Sequence, residues 1–196
     1  MQDKVLINWG SYDVDNFGDL LFPFLVEHYL GNTYSKIVHA SPTGKQSRWA
    51  DSIPTCTIAE AITNKNIEGL VIGGGNLISF TKSASINYVE NPELAKIVHP
   101  SFFYVPYFLR AKYCIPYAFN YIGVSKPILA ENQNAVKNVM ESASFISCRD
   151  KESASRLFTC GVKSPVTIGI DSAINISKVF SSEYLQNVSS TNKCNT

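Results

Sequence analysis

The sequence of 196 residues is 45% hydrophobic and 12% aromatic, which supplies apolar material for one sizeable core or two small ones. Seventeen Lys and Arg residues stand against 16 Asp and Glu residues, for a formal net charge of +1. Such a balance provides no global field for nucleic acid or anionic lipid, so a charged ligand must be bound by local groups. No apolar run approaches the roughly 20 residues that cross a bilayer, and the apolar start is too short for a signal peptide. We therefore expect a cytoplasmic protein without a transmembrane segment and leave open a peripheral position at the inner membrane.

The cysteines and histidines show no pattern typical of a metal site or a disulfide framework. The five cysteines include no CxxC pair, and the three histidines, His28, His39 and His99, are far apart in the sequence. Zinc sites and disulfide-rich domains have short, regular spacings of these residues. We expect reduced thiols, no metal and histidines with structural roles.

Short β-branched runs alternate with segments of helical periodicity along the chain. The predicted strands are 5–8, 36–39, 70–72, 117–122, 144–147 and 166–170, and the clearest predicted helices are 20–30, 128–142 and 151–160. This alternation is typical of a parallel sheet covered by helices on both faces. We predict a doubly wound, mostly parallel, Rossmann-like α/β domain over residues 1–180, followed by a flexible tail or truncated linker over 181–196.

Capping residues support the predicted helices, and one segment is harder to interpret. Asp19 is the predicted N-cap of the first helix and Gly31 begins its C-terminal cap, while Asp150 and Gly161 bracket the helix at 151–160. The aromatic-rich segment 79–116 lacks strand alternation and predicts an excursion with one or two helices. It serves either as additional core cover or as a lid or acceptor-binding wall.

Polar and glycine-rich turns follow the first and third predicted strands, where ligands bind in open parallel sheets. Asn16-Phe17-Gly18-Asp19 leads into a helix and offers N–H groups and a helix dipole to an anion, or serves only as a turn and cap. Gly73-Gly74-Gly75-Asn76 lets the backbone approach a ligand closely, or forms only a tight turn. It does not match the dinucleotide fingerprint, since Ile78 occupies the last glycine position.

Two further strand ends carry charged residues. Ser147-Cys148-Arg149-Asp150 runs into a helix, and the guanidinium of Arg149 suits a carboxylate or a phosphate, or forms only an ion pair with Asp150 or Glu152. Asp171 follows the last predicted strand, as a site residue or as a cap. Because the carboxyl ends of parallel strands meet at one edge, we predict that Asn16, Gly74, Arg149 and Asp171 gather there.

The order and spacing of these motifs resemble the polysaccharide pyruvyl transferase family. The matching segments are Asn16-Phe17-Gly18-Asp19, Gly73-Gly74-Gly75-Asn76-Leu77-Ile78, Ile122-Gly123-Val124, Ser147 through Gly161, and Asp171. Two departures affect the shape of the loops. Ser125 stands where the family often has Pro, and Asp171-Ser172-Ala173 stands where it often has Asp-Pro-Ala.

The resemblance implies transfer of a pyruvyl group from phosphoenolpyruvate to two sugar hydroxyls, giving a ketal, in cell-surface or exopolysaccharide biosynthesis. It also implies the N-terminal half of a GT-B-like arrangement, whose C-terminal domain this sequence does not contain, and phosphoenolpyruvate as a substrate with no cofactor. The expected partners are this donor, a saccharide acceptor, and the missing domain or a second copy of the chain. We predict substrate contacts at Asn16, Gly18, Asp19, Gly73, Gly74, Gly75, Asn76, Ser147, Arg149, Asp150 and Asp171.

The residues show no clear general acid, and the family resemblance places that role on a histidine of the C-terminal domain. We therefore expect the 196-residue chain alone to be inactive, because an open half-cleft does not exclude water. Two alternatives stay open: an inactive half-enzyme that acts as a binding or scaffold domain, and half of a GT-B glycosyltransferase.

Overall fold

The computed structural model describes residues 3–49, 51–79, 88, 92–184 and 186. Their six strands are β1 (Val5–Trp9), β2 (Lys36–Ala40), β3 (Ile67–Gly73), β4 (Tyr117–Ile122), β5 (Phe145–Cys148) and β6 (Thr167–Ile168). All neighbouring pairs are parallel, in the order β2-β1-β3-β4-β5-β6. The predicted Rossmann-like α/β fold with a parallel sheet is confirmed.

Helices connect these strands, as parallel neighbours require. They are α1 (Phe17–Leu20), α2 (Phe22–Leu30), α3 (Ile58–Ala61), α4 (Pro92–Tyr113), α5 (Ala130–Ser142) and α6 (Lys151–Thr159), and a 3-10 helix at Ser172–Lys178 follows β6. The second strand, β2, pairs with one edge of β1, and β3 pairs with the other edge of β1, followed in order by β4, β5 and β6. The strand order therefore reverses between β1 and β3, and a crevice is expected at the carboxyl ends of these two strands.

The first predicted helix is divided, and its predicted N-cap is wrong. Asn16 is the N-cap of α1, because its side-chain oxygen accepts a hydrogen bond from the N–H of Gly18 at 3.1 Å. Asp19 lies inside α1 and is only 8% exposed. A single helix does not form, because Pro23 has no N–H with which to continue the hydrogen-bond ladder to the carbonyl of Asp19.

The other predicted caps have mixed outcomes. Asp150 caps α6 by accepting a hydrogen bond from the N–H of Ser153 at 2.6 Å. Gly161 follows this helix with a positive φ of 79°, as a C-terminal glycine commonly does. Gly31 ends α2 at a φ of −60°, so it remains in the right-handed helical region and forms no left-handed cap.

The aromatic-rich segment is largely one helix that covers the core. Within α4, Phe102 and Phe103 are fully buried, whereas Tyr104 and Phe108 face outward and are 42% and 55% exposed. The helix packs against β3, β4 and α5, which supports the interpretation as core cover for this part. Residues 80–87 and 89–91 of the segment lie outside the described residues.

The central strands β1, β3 and β4 carry the most deeply buried side chains. Ile7, Ile72 and Phe119 are completely buried and belong to one continuous hydrophobic cluster. No helix of the described residues is long and apolar enough to span a membrane. After the 3-10 helix, the ring of Phe180 contacts those of Phe24 and Tyr184. The rest of the predicted tail, 185 and 187–196, lies outside the described residues, and the domain boundaries stay predictions.

Candidate active site at the carboxyl edge of the sheet

The carboxyl ends of β1, β3, β5 and β6 bring five polar residues together. We call Asn16, Asp19, Asn76, Arg149 and Asp171 the edge cluster. Arg149 contacts both Asn76 and Asp171, Asn16 contacts Asp19, and the charges of Arg149 and Asp171 both act on Asp19. The sheet thus gathers residues that are up to 155 positions apart in the sequence, and the predicted assembly at one edge is observed.

Arg149 links three of the strand ends. Its Nη2 donates to Oδ1 of Asn76 at 2.7 Å, its Nη1 lies 3.5 Å from Oδ2 of Asp171, and its Nε lies 3.5 Å from Oδ2 of Asp150. The Arg149 side chain retains 28% exposure. The predicted ion pair between Arg149 and Asp150 is therefore observed, and a ligand contact at Arg149 stays a prediction.

Gly123, directly after β4, makes room for this arrangement. A Cβ at Gly123 would lie 2.3 Å from Oδ1 of Asn76 and 2.8 Å from Nε of Arg149. Real Cβ atoms do not approach other atoms so closely. A larger residue at this position would therefore displace the side chains whose contact defines the centre of the edge cluster.

The glycine turn after β3 packs tightly against α1 and α2. Gly74 and Gly75 have φ values of 81° and 70°, which favour glycine. A Cβ at Gly74 would lie 1.9 Å from the ring of Phe22, and a Cβ at Gly75 would lie 2.6 Å from Oδ1 of Asp19. These two glycines are thus required by backbone conformation and by packing, which supports the interpretation as a tight turn. Gly73, still in β3, has no such close contact, and Asn76 ends the turn exposed at the edge.

The loop before α1 holds the carboxylate of Asp19 from one side. Oδ2 of Asp19 accepts hydrogen bonds from Oγ of Ser11 at 3.0 Å and from Nδ2 of Asn16 at 3.2 Å. Asn16 therefore uses both polar side-chain atoms within the loop, one on Asp19 and one on Gly18. Because α1 has only four residues, its dipole is small, and an anion contact at this helix start stays a prediction.

The environment of Asp19 makes it a weak acid. The pKa of Asp19 is raised to about 6, with burial as the largest cause and the charge of Asp171 acting in the same direction. The hydrogen bonds from Ser11 and Asn16 and the charge of Arg149 lower the pKa but do not restore its usual value. A carboxyl group of this kind exchanges protons near neutral pH, which sequence reasoning missed because it considered Asp19 only as a cap and as a substrate contact.

Ser147 supports the sheet interior instead of facing the edge. The side chain is completely buried, and its Oγ accepts a hydrogen bond from the N–H of Tyr121 at 2.8 Å and donates to the carbonyl of Phe119 at 3.2 Å. These bonds hold an irregularity in the pairing of β4 with β5, where Tyr121 has a φ of 48°. The structure does not bring Ser147 to the edge cluster.

Asp150 and Ser153 support the loop that follows β4. Burial alone would raise the pKa of Asp150. The hydrogen bonds from Ser153 and the neighbouring charge of Arg149 outweigh this effect and hold the pKa of Asp150 below its usual range. Oγ of Ser153 accepts a hydrogen bond from the N–H of Val124 at 2.9 Å. The segment from Ser147 to Ser153 thus supports the loop through Gly123 and presents Arg149 directly after β5.

Asp171 has two roles that the sequence left as alternatives. Its Oδ1 accepts a hydrogen bond from the N–H of Ala173 and so caps the 3-10 helix, while Oδ2 faces Arg149. The cap interpretation is confirmed, and the second oxygen joins the edge cluster.

The histidines lie elsewhere in the described part of the chain. His39 is buried between Glu27 and Asn8, with hydrogen bonds of 3.0 and 2.9 Å, and its burial lowers its pKa. His99 lies on α4, where burial also lowers its pKa, and His28 is exposed on α2. Neither hydrogen bonds nor ion pairs join these three side chains to the edge cluster within the described ranges, and their structural roles stay predictions.

Comparison with known proteins gives one match. The family model described as "Polysaccharide pyruvyl transferase" matches residues 16–194. No curated protein and no solved structure matches the chain. The matched range begins at Asn16 and includes every residue of the edge cluster.

Proposed function

This chain belongs to the polysaccharide pyruvyl transferase family, and we propose that it binds phosphoenolpyruvate at the edge cluster for transfer of the pyruvyl group to two hydroxyls of a saccharide. The family supports transferase chemistry and a saccharide acceptor. The identity of the donor and a role in cell-surface or exopolysaccharide biosynthesis are parts of the proposal.

The position of Arg149 is the observation that carries the choice of donor. Phosphoenolpyruvate has a carboxylate and a phosphate, and a guanidinium binds such planar or tetrahedral oxyanions through paired N–H groups. The distances of 3.5 Å from Arg149 to Asp150 and Asp171 exceed the 2.7–2.9 Å of strong charge-assisted hydrogen bonds. An incoming oxyanion therefore displaces weak interactions, and the short bond to Asn76 keeps the guanidinium in place.

The reaction class sets further requirements at this edge. Addition of a proton to the methylene carbon of the donor produces an oxocarbenium-like centre, which a sugar hydroxyl attacks. Phosphate then leaves, and the second hydroxyl closes the ketal. Cationic groups and N–H donors stabilise the charges of the donor, while an acid and a base move the protons.

Calorimetric titration of phosphoenolpyruvate into the full chain tests the proposal. We expect Arg149→Ala to weaken binding by about 2–5 kcal/mol, since it leaves a desolvated anion without its partner. Arg149→Lys should weaken binding less, because it keeps the positive charge and loses only the paired N–H groups of the guanidinium.

Arg110→Ala is the matched control, because Arg110 is exposed in the last turn of α4 and should not affect the titration. Equal affinities for wild type, Arg149→Ala and Arg149→Lys would remove Arg149 from the site. Absence of binding to wild type would refute phosphoenolpyruvate as the ligand of this chain.

A binding role without turnover is the second candidate. It is favoured by the hydrogen bond of 2.7 Å from Arg149 to Asn76, which holds the guanidinium in a position suited to anion binding. Binding of phosphoenolpyruvate without release of inorganic phosphate, when a saccharide is added, would support this candidate.

A further inference from the structure

We propose that Asp19 is the proton carrier of the pyruvyl transfer, delivering a proton to the methylene carbon of the donor and recovering one from the attacking sugar hydroxyl. This role rests on the proposed function. It assigns to Asp19 the acid role that the family resemblance places on a histidine of the C-terminal domain.

The carboxylate of Asp19 has two different sides. Both hydrogen bonds that it receives from the described loop, from Ser11 and Asn16, end on Oδ2. Oδ1 points to the glycine turn, 2.6 Å from the place that a Cβ of Gly75 would occupy. An oxygen that accepts two N–H or O–H donors keeps its lone pairs occupied, so the proton of the neutral acid belongs on Oδ1, the oxygen directed at the turn.

The groups around Asp19 have opposing effects on its carboxyl group, so that both the neutral acid and the carboxylate are accessible. The titratable groups that act on it or respond to it are Asp171 and Arg149 from the neighbouring strand ends, Tyr12 from the loop after β1, and Tyr88. Burial and Asp171 favour the neutral acid, whereas Arg149 favours the carboxylate. A general acid that also acts as a base is most effective when its pKa lies near the working pH.

For addition of the first sugar hydroxyl, Asp19 alone can both supply the proton and take one back. The O–H bond of neutral Asp19 breaks and a C–H bond forms at the methylene carbon, whose π electrons supply the pair. The sugar oxygen then bonds to the adjacent carbon and releases its proton to the Asp19 carboxylate. When the C–O bond to phosphate breaks and the second hydroxyl adds, the departing phosphate takes the second proton. Asp19 ends the cycle as it began, in the neutral form.

Hydrogen exchange in the donor tests this role without requiring ketal formation. In D₂O, reversible proton delivery by Asp19 replaces the methylene hydrogens of phosphoenolpyruvate with deuterium, which proton NMR detects. We expect wild type to catalyse this exchange and Asp19→Asn to lose it by at least tenfold, with phosphoenolpyruvate binding retained. The exchange rate of wild type should fall as the pH rises above about 6, because the neutral acid is lost.

The matched control is Asp51→Asn, which changes an exposed aspartate on the loop after β2 and should leave the exchange rate unchanged. A second measurement, the titration of the carboxyl ¹³C resonance of Asp19 in wild type, does not depend on any variant. Titration below pH 4.5 would overturn the proposal, as would binding of phosphoenolpyruvate with no exchange, or with equal exchange in wild type and Asp19→Asn. Failure of wild type to bind phosphoenolpyruvate would instead refute the proposed donor.

Discussion

Replacement of Asp19 by Asn should stabilise the fold at neutral and alkaline pH. The pKa of Asp19 rises from 3.8 to about 6 on folding, so the folded chain holds this proton more tightly than the unfolded chain. The stability that this provides is complete below pH 3.8 and is lost as the pH rises through about 6. Ionised Asp19 then lowers the free energy of unfolding, whereas a neutral Asn does not.

The size of the effect follows from the shift of about two pKa units. At about 1.4 kcal/mol for each unit, the carboxylate costs the folded state about 3 kcal/mol at pH 8, and Asp19 is only 8% exposed, so solvent screens little of it. The side-chain oxygen of Asn can still accept the bonds from Ser11 and Asn16. We expect Asp19→Asn to equal wild type near pH 4 and to exceed its free energy of unfolding by up to about 3 kcal/mol at pH 8.

Urea unfolding at several pH values between 4 and 8, followed by the fluorescence of buried Trp9, measures this difference. Asp51→Asn serves as the control and should show no such growth with pH. A difference between Asp19→Asn and wild type that does not change with pH, or a variant less stable than wild type at pH 8, would refute the reasoning.

Two further predictions concern the support of the edge cluster. Ser147→Ala should lower the free energy of unfolding by about 1–3 kcal/mol, because it leaves the N–H of Tyr121 without its partner inside the sheet. Urea unfolding measures this change. The control is Ser155→Ala on the exposed face of α6, which should have little effect. Gly123→Ala should weaken binding of phosphoenolpyruvate by about tenfold or more, equivalent to about 1.4 kcal/mol, because its Cβ separates Asn76 from Arg149. Calorimetry checks the affinity, and unchanged binding would show that the Asn76–Arg149 contact is not needed.

Much of the fold could be predicted because it depends on local patterns. Buried parallel strands are short β-branched runs, and the helices between them show their own periodicity and caps, so alternation alone indicates the architecture. The six predicted strands correspond to β1 through β6. Gathering of Asn16, Arg149 and Asp171 also followed, since residues after parallel strands share one edge wherever the strands lie in the sheet.

The division of the first helix was missed for a local reason. The periodicity of residues 20–30 predicts a continuous helix, but the missing N–H of Pro23 separates α1 from α2. This division makes Asn16 the cap and leaves Asp19 inside α1, where the glycine turn covers it.

What the sequence by itself determined is the order of elements, the edge at which the motifs meet and the family to which they belong, because each depends on residue type and spacing. Only the tertiary structure decided what each motif residue does. Ser147 and Asp19 are both short polar residues beside a strand end or helix start, yet one is buried in a strand irregularity and the other becomes a weak acid against Gly75. Burial and neighbouring charge set these roles, and both come from segments that are distant in the sequence and meet only when the sheet forms.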